Sequence, residues 1–308
     1  LNNKVLAILR GGWVLLRFIA VIFSSVATII SSLLPLFLFT SIPTGQLFWL
    51  FIFLAISAFA IHGVLTHAFN DYTDYRSGTD NYSPGILSGG SRVIQKGMFS
   101  LQTIRLLGIW FSVVLIILAI LLLFFAQYKL TILLLIGIWG AASYSLPPFR
   151  FSYRPFLGEW FSLFPAILSL GIAGPWIILG TIPLWAYQNA VINALFCLAW
   201  VMVHHIPDLE ADKRAIPKKR TTVVWFVDMF GLNYARFPAL FYLLAVGLCT
   251  FWLGLERIWA AGVLFTITIF ALVLVMKINV EDHQQVTIYE KALLFLAMIT
   301  AICLGVFI

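Results

Sequence analysis

Half of the chain's 12 acidic residues lie in two short patches: Asp71, Asp74 and Asp80, then Asp208, Glu210 and Asp212. Asn70 opens the first patch. If each patch continues a helix, Asp71 and Asp74 fall at i and i+3, and Asp208 and Asp212 at i and i+4. Each pair then shares a helix face, where like charges repel unless a cation lies between them. Glu210 points elsewhere. Carboxylate oxygens with an amide carbonyl are hard ligands that suit Mg²⁺. That ion keeps several waters and shares phosphate oxygens rather than taking a full protein cage. Two facing patches would therefore hold a pair of ions across a diphosphate. Basic residues accompany both: Arg76, Arg92 and Lys96 near the first, and Lys213, Arg214, Lys218, Lys219 and Arg220 near the second. Acids for metal together with bases for oxyanions describe a polyphosphate site better than either set alone. The rival reading of the acids is an ordinary solvated loop.

The elements that position these patches follow from composition. Of 308 residues, 62% are hydrophobic and 10% charged, against roughly 25% charged in a soluble domain. A water-soluble fold cannot cover that much apolar surface. This excludes a soluble enzyme, a disordered chain and a disulfide-rich secreted module. An all-α, polytopic integral membrane protein is expected, a single transmembrane domain over 1–308. A bilayer core needs about 20 apolar residues per helix. Nine runs qualify: Phe18–Thr40, Leu47–Phe69, Ile104–Phe125, Leu130–Leu146, Phe161–Leu179, Ala190–Ile206, Ala239–Leu255, Ile258–Ile278 and Ala292–Ile308. Breakers mark the joints: Pro43 with Gly45, Pro147-Pro148, Gly180 to Pro183, and Pro207. The runs lack the two-residue alternation of a membrane barrel.

Charge sets the orientation. With nine spans, 17 of the 19 basic residues share the side of the N-terminus, and only Lys129 and Arg257 face the other. The positive-inside rule makes that side cytoplasmic. Eleven of the 12 acids share it, Glu256 excepted. The net charge of +7 thus reads as topology plus anion binding, not as a nucleic-acid surface. The catalytic loops are expected over 70–100 and 207–237, and residues 1–16 as an interfacial helix. No small-residue cleavage site follows a short apolar region near the start, so a removed signal peptide is not expected. Cys197, Cys249 and Cys303 lie within spans and read as inert buried thiols. His62 and His67 stand about 140° apart on a helix and read as packing residues. His204 and His205 adjoin Asp208, so contact with an acceptor or a role behind the metal is open to them.

These residues resemble a known family. Asn70-Asp71-x-x-Asp74 with Asp80, and Asp208-x-x-x-Asp212 after a later span, look like the UbiA superfamily of membrane prenyltransferases. Ser88 through Gly97, Tyr144 through Arg150 with Tyr153-Arg154 and Leu157-Gly158-Glu159, and Lys218 through Thr222 resemble its 1,4-dihydroxy-2-naphthoate branch in the menaquinone pathway. The likeness runs from about residue 60 to 225. Two departures stand out. Pro148 occupies a position where the superfamily often has Lys, leaving Arg150 or Arg154 for its diphosphate role. The chain also has His204-His205-Ile206-Pro207-Asp208 where the branch has Asn-Asn-x-Arg-Asp.

The resemblance implies nine helices in a bundle, with active-site loops on the cytoplasmic side. It implies transfer of a polyprenyl group from its diphosphate to a small aromatic acceptor. Dihydroxynaphthoate is expected first; hydroxybenzoate, homogentisate-like and glyceryl phosphate acceptors stay open. Asn70, Asp71, Asp74, Asp208 and Asp212 would bind two Mg²⁺, and Asp80 would be a metal ligand or a base. Arg76, Arg92, Lys96, Arg150, Arg154 and Lys213 would meet the diphosphate. An allylic cation needs a dry, electron-rich pocket, and an aromatic face is worth about 2 kcal/mol or more to a desolvated cation. Among 28 Phe, 11 Trp and 10 Tyr, Tyr72 and Tyr144 lie nearest the motifs. The bilayer is the only partner besides the substrates; neither nucleic acid nor an obligate protein partner is inferred. A cation-coupled transporter would place acids in mid-span, and none is there. The compact Asp-Gly-x-x-Ala-Arg pattern of a CDP-alcohol phosphotransferase is missing, and the intact acid motifs argue against an inactive scaffold. The topology predicts that reporters fused at Gly78 and at Ala215 both read cytoplasmic; opposite readings would break the nine-span assignment.

Overall fold

The computed structural model describes residues 3–308; residues 1 and 2 of the expected interfacial segment lie outside them. Helix α1 is Asn3–Leu15, with Leu6, Ile8, Leu9 and Trp13 exposed. Among the described residues, nine helices are long and apolar enough to cross a membrane. They are α2 (Phe18–Phe39), α3 (Thr44–Ser77), α5 (Leu101–Phe124), α6 (Tyr128–Ser145), α7 (Glu159–Leu179), α8 (Leu184–His204), α11 (Leu232–Leu253), α12 (Ile258–Met276) and α13 (His283–Val306). Three short helices, α4 (Thr79–Tyr82), α9 (Leu209–Arg214) and α10 (Thr222–Phe230), lie in the connections.

Local chemistry explains the boundaries. Ser100 caps α5 by accepting from the Thr103 N–H at 3.0 Å. Gly180 ends α7 with φ 81°, a conformation a side chain resists, and Pro183 precedes α8. The structure lengthens two runs that read as short, since α6 starts at Tyr128 and α8 at Leu184. It also places Asp80 in a helical turn rather than a loop, and puts α10 inside the stretch 207–237. Local bonds explain both: the Asn81 and Ser83 N–H groups donate to the Gly78 and Thr79 carbonyls, and the Thr221 hydroxyl caps α10 by accepting from the Val224 N–H at 3.2 Å.

Helix α8 is the spine. It packs against α2, α7, α11 and α13, and nearly all of it is buried. Small residues permit the approach: a Cβ added to Gly171 of α7 would sit 2.6 Å from that of Ala190. By contrast α5 turns most of its side chains outward, as lipid-facing Leu and Ile residues do. The three cysteines are free.

At the end of the bundle away from the acidic patches, Arg257 is only 7% exposed. It donates to Gln188 Oε1 at 3.0 Å, Asn189 Oδ1 at 3.0 Å and the Leu304 carbonyl at 2.8 Å. Burial lowers its pKa to about 10. Among the described residues no carboxylate pairs with it, so neutral dipoles hold the charge. Arg257→Ala removes the donor from two buried amide oxygens, each costing about 1–3 kcal/mol when left bare. We expect a fall in melting temperature of roughly 5 °C or more in detergent. Arg257→Lys should recover little, because one ammonium lacks the guanidinium fork. A melting temperature within a degree of wild type would show the cluster to be incidental.

Candidate active site

The helix of the second span runs on past its apolar residues to Ser77 and stops at Gly78, whose φ is 83°. This extension puts Asp71 and Asp74 on one face, 2% and 3% exposed. Helix α4 then presents Asp80, and α9 begins just after Asp208 and carries Asp212. Helix α9 packs on α4, and the Ile216 N–H donates to the Ser77 carbonyl at 2.9 Å. The two acidic patches, remote in sequence, are thereby joined at one end of the bundle.

A strap, residues 83–92, lies across them. The Ser83 hydroxyl donates to Asp208, as do the Ser88 hydroxyl and the Gly89 N–H, each at 3.1 Å. Ser91 turns to the other patch: its N–H donates to Asp71 Oδ1 at 3.1 Å and its hydroxyl to Asp71 Oδ2. Gln95 donates to Asp80 at 3.0 Å. The strap needs its glycines. Gly90 has φ 71°, and a Cβ there would lie 3.0 Å from Asp71 Oδ1 and 3.1 Å from both oxygens of Asp80. Its backbone passes between two carboxylates where a side chain would not fit. Arg92 pins the strap by donating to the Asp80 and Ser83 carbonyls.

Lys219 supplies the cation. Its ammonium stands 2.8 Å from Asp74 Oδ2 and 3.7 Å from Asp212 Oδ1. Burial works against its charge, but Asp74 and Asp212 outweigh that and hold its pKa well above the ordinary value. The Tyr153 hydroxyl donates to Asp74 Oδ1 at 3.0 Å. Burial raises Asp212 well above the carboxylate range despite Lys219, and among the described residues neither of its oxygens accepts a hydrogen bond. Burial, then the charges of Asp74 and Asp71, push Asp80 up to about 8, and its Oδ1 is unpartnered.

The structure gathers Asp71, Asp74, Asp80, Asp208 and Asp212, but not all their expected companions. Arg76 is exposed and donates to the Tyr72 hydroxyl at 3.2 Å. Tyr72 packs with Val93 and Ile104, away from the carboxylates; it is one residue off the Asp71–Asp74 face. Lys96 is exposed. Lys213 pairs at 3.5 Å with exposed Glu210. Among the described residues the Asn70 amide makes no side-chain hydrogen bond. His204 turns to buried Glu290 at 2.5 Å and accepts from Arg17 at 3.2 Å. Tyr144 and His205 meet each other at 3.3 Å, and burial keeps His205 well below its ordinary pKa, hence neutral. Both line a cleft with Arg154, Glu159 and Thr222. Arg150 lies over the Tyr153 ring, 5.4 Å from its centroid.

Among the described residues, no three carboxylate, imidazole or thiol groups converge enough to hold one ion. Pairs do converge, Asp71 with Asp80 around Gly90 and Asp74 with Asp212 around Lys219. Mg²⁺ takes one or two carboxylates plus phosphate oxygens, and the bare oxygens of Asp80 and Asp212 suit it. The donor set therefore fits this ion. The sequence marked Lys219 only as one of several bases near the second patch, and Tyr153, Ser88 and Ser91 only through the resemblance; it gave no role to Arg17, Glu290 or Ser83. A Ser-Gly-Gly-Ser run beside an acidic patch was the available signal for the strap.

The UbiA prenyltransferase family profile matches residues 32–299. Two lycopene elongase/hydratases of Corynebacterium glutamicum are each 28% identical over 219 residues, covering 67% of either chain. No solved structure matches.

The raised Asp80 has a measurable consequence. A carboxyl whose folded pKa exceeds its unfolded one stabilises the fold while protonated and loses that contribution as pH rises. In EDTA the melting temperature should fall as pH climbs from about 4 to about 8. Asp80→Asn should flatten that fall; an unchanged slope in the variant would remove Asp80 as its source.

Proposed function

Since the chain belongs to the UbiA prenyltransferase family and is a prenyl-transferring enzyme of polytopic membrane fold, we propose that it uses Mg²⁺ to move a polyprenyl group from an allylic diphosphate to an oxygen-substituted aromatic ring of the 1,4-dihydroxy-2-naphthoate type. One observation carries the reading: a single strap binds Asp71 and Asp208 together, so the two acidic motifs form one site. Of the three segments that resemble the dihydroxynaphthoate branch, two supply Gly90, Ser91 and Lys219 to the carboxylates, and the third supplies Tyr144, which meets His205 beside them.

Each residue has a task. Asp71, Asp80, Asp208 and Asp212 would hold the metal, which when bound neutralises charge gathering on the leaving diphosphate. Lys219 bridges Asp74 and Asp212, offsets their mutual repulsion and fixes their orientation. The hydroxyls of Ser83, Ser88 and Ser91 rotate, so they can turn from carboxylates to phosphate oxygens as an anion arrives. Arg150, half-buried over the Tyr153 ring, would meet that anion, with exposed Arg154 at the rim of the neighbouring cleft. The buried helices below exclude water from the allylic cation, and the acceptor carbon attacks it with a π pair before losing a proton.

A second reading rests on the relatives. Those proteins are lycopene elongase/hydratases, and lycopene is a polyene and also a π nucleophile, so the same ionisation would serve an apolar acceptor. Incubating purified protein with a radiolabelled prenyl diphosphate, Mg²⁺ and either dihydroxynaphthoate or lycopene separates the two. We expect a labelled naphthoate product, lost in EDTA and reduced by orders of magnitude in Asp71→Asn and Asp208→Asn. Product from lycopene alone would move the acceptor to the second reading. Product from neither acceptor, or full rate in EDTA, would overturn the metal-dependent transfer itself.

A further inference from the structure

The strap has no regular structure to hold it. Among the described residues, no backbone–backbone hydrogen bond involves residues 84–91. Most of its fastenings run to Asp71 and Asp208, the groups that a metal and a diphosphate would claim. Arg92 ties its end to its start through the Ser83 carbonyl. Its middle has one fastening that uses no carboxylate. Arg17, at the joint between α1 and α2, donates to the Leu87 carbonyl at 2.6 Å. Leu87 comes just before Ser88 and Gly89, the two donors to Asp208.

Arg17 is itself held. Its φ is 44°, a left-handed conformation that residues with a side chain seldom adopt. The Nη2 that meets Leu87 also stands 3.2 Å from His204 Nε2, and His204 Nδ1 stands 2.5 Å from Glu290 Oε1. An arginine can only donate. His204 Nε2 therefore accepts, the ring proton lies on Nδ1, and Glu290 receives it. Glu290 is wholly buried, and among the described residues its Oε2 accepts no hydrogen bond. A buried charged set often adds no stability over apolar packing of similar volume, so stability does not account for this one.

We propose that Glu290, His204 and Arg17 form a positioning relay that grips the strap by a backbone carbonyl. Ser88 and Gly89 then stay aimed at the site while Asp71 and Asp208 go over to metal and diphosphate. A carbonyl suits this task because an arriving anion has no use for it. Helix α13 packs on both α8 and α2, so the relay references the strap to the packed bundle. The inference rests on the diphosphate reading and assigns a role to three residues that act through the strap.

Two measurements on the full chain in detergent test it. The first is hydrogen–deuterium exchange of the amides of residues 85–91, read by mass spectrometry in EDTA without substrate. Arg17→Met, His204→Phe and Glu290→Leu should each speed that exchange about 10-fold, the size of one net hydrogen bond, and leave the amides of α10 unchanged. Glu290→Gln keeps an oxygen to accept from Nδ1 and should stay within about 2-fold of wild type. The second is equilibrium dialysis against radiolabelled inorganic pyrophosphate with Mg²⁺. The three disrupting variants should weaken binding about 10-fold, and Glu290→Gln should recover it. Wild-type exchange in Arg17→Met would overturn the relay. So would faster exchange with unchanged pyrophosphate affinity, or an acceleration that extends to α10, since either makes the three residues merely structural. If Glu290→Leu does not fold, Arg17→Met carries both comparisons. Failure of wild type to bind pyrophosphate would overturn the diphosphate reading, and the exchange comparison would still decide whether the relay holds the strap.

Discussion

Five carboxylates are carried out of bulk water at one end of this bundle, and the rest of that end exists to answer them. Asp71, Asp74, Asp80, Asp208 and Asp212 are each 7% exposed or less. Unanswered, such charges cost several kcal/mol apiece and repel one another. Two devices meet the demand. The strap turns hydroxyls and N–H groups onto Asp71 and Asp208, and Lys219 stands between Asp74 and Asp212. Both devices cross from one motif to the other. The same contacts that make the charges tolerable therefore make the two halves of the chain one site.

The spine helix transmits this arrangement through the bundle. At its far end Gln188 and Asn189 hold Arg257, and at the near end it leads into Asp208. Its last residue, His204, links Glu290 of α13 to Arg17, and Arg17 donates to the Leu87 carbonyl of the strap at 2.6 Å. Helix α13, helix α8, the start of α2 and the strap are thus tied by one chain of hydrogen bonds. Glu290 is wholly buried, so its position is set by that chain and not by solvent.

Much of the fold was legible because apolar length is a one-dimensional property. Nine runs of the right length gave, among the described residues, nine helices long and apolar enough to cross a membrane, and breakers such as Gly180 and Pro183 sat where the turns are. The acids were legible for the same reason, since spacing alone put Asp71 with Asp74 and Asp208 with Asp212. Their partners were not. Whether Ser91 donates to Asp71 depends on a loop whose path is set by Gly89 and Gly90 at positive φ, and no periodicity encodes that path. Tyr72 shows the limit from the other side. It is adjacent to Asp71 in sequence, yet a helix turns successive residues by about 100°, and it faces a different cluster.

The bases make the sharper case. A cytoplasmic excess of Lys and Arg orients membrane proteins whatever their chemistry, so position in the chain cannot separate orienting cations from binding ones. Burial can, because a cation leaves water only where partners repay its desolvation. Arg76, Lys96 and Lys213 stay out in solvent or pair at the surface and need no ligand to explain them. Lys219 turns inward because Asp74 and Asp212 receive it, and those partners leave it little capacity for an incoming anion. Arg92 also turns inward, with one guanidinium nitrogen donating to the Asp80 and Ser83 carbonyls, while its Nε has no partner among the described residues. Arg150 shares that spare donor. It is half-buried with φ 42°, it lies on the ring whose hydroxyl holds Asp74, and its Nε has no partner. A cation kept beside the acids with a donor unspent is what an anionic substrate requires, whereas orientation in a membrane requires only the charge.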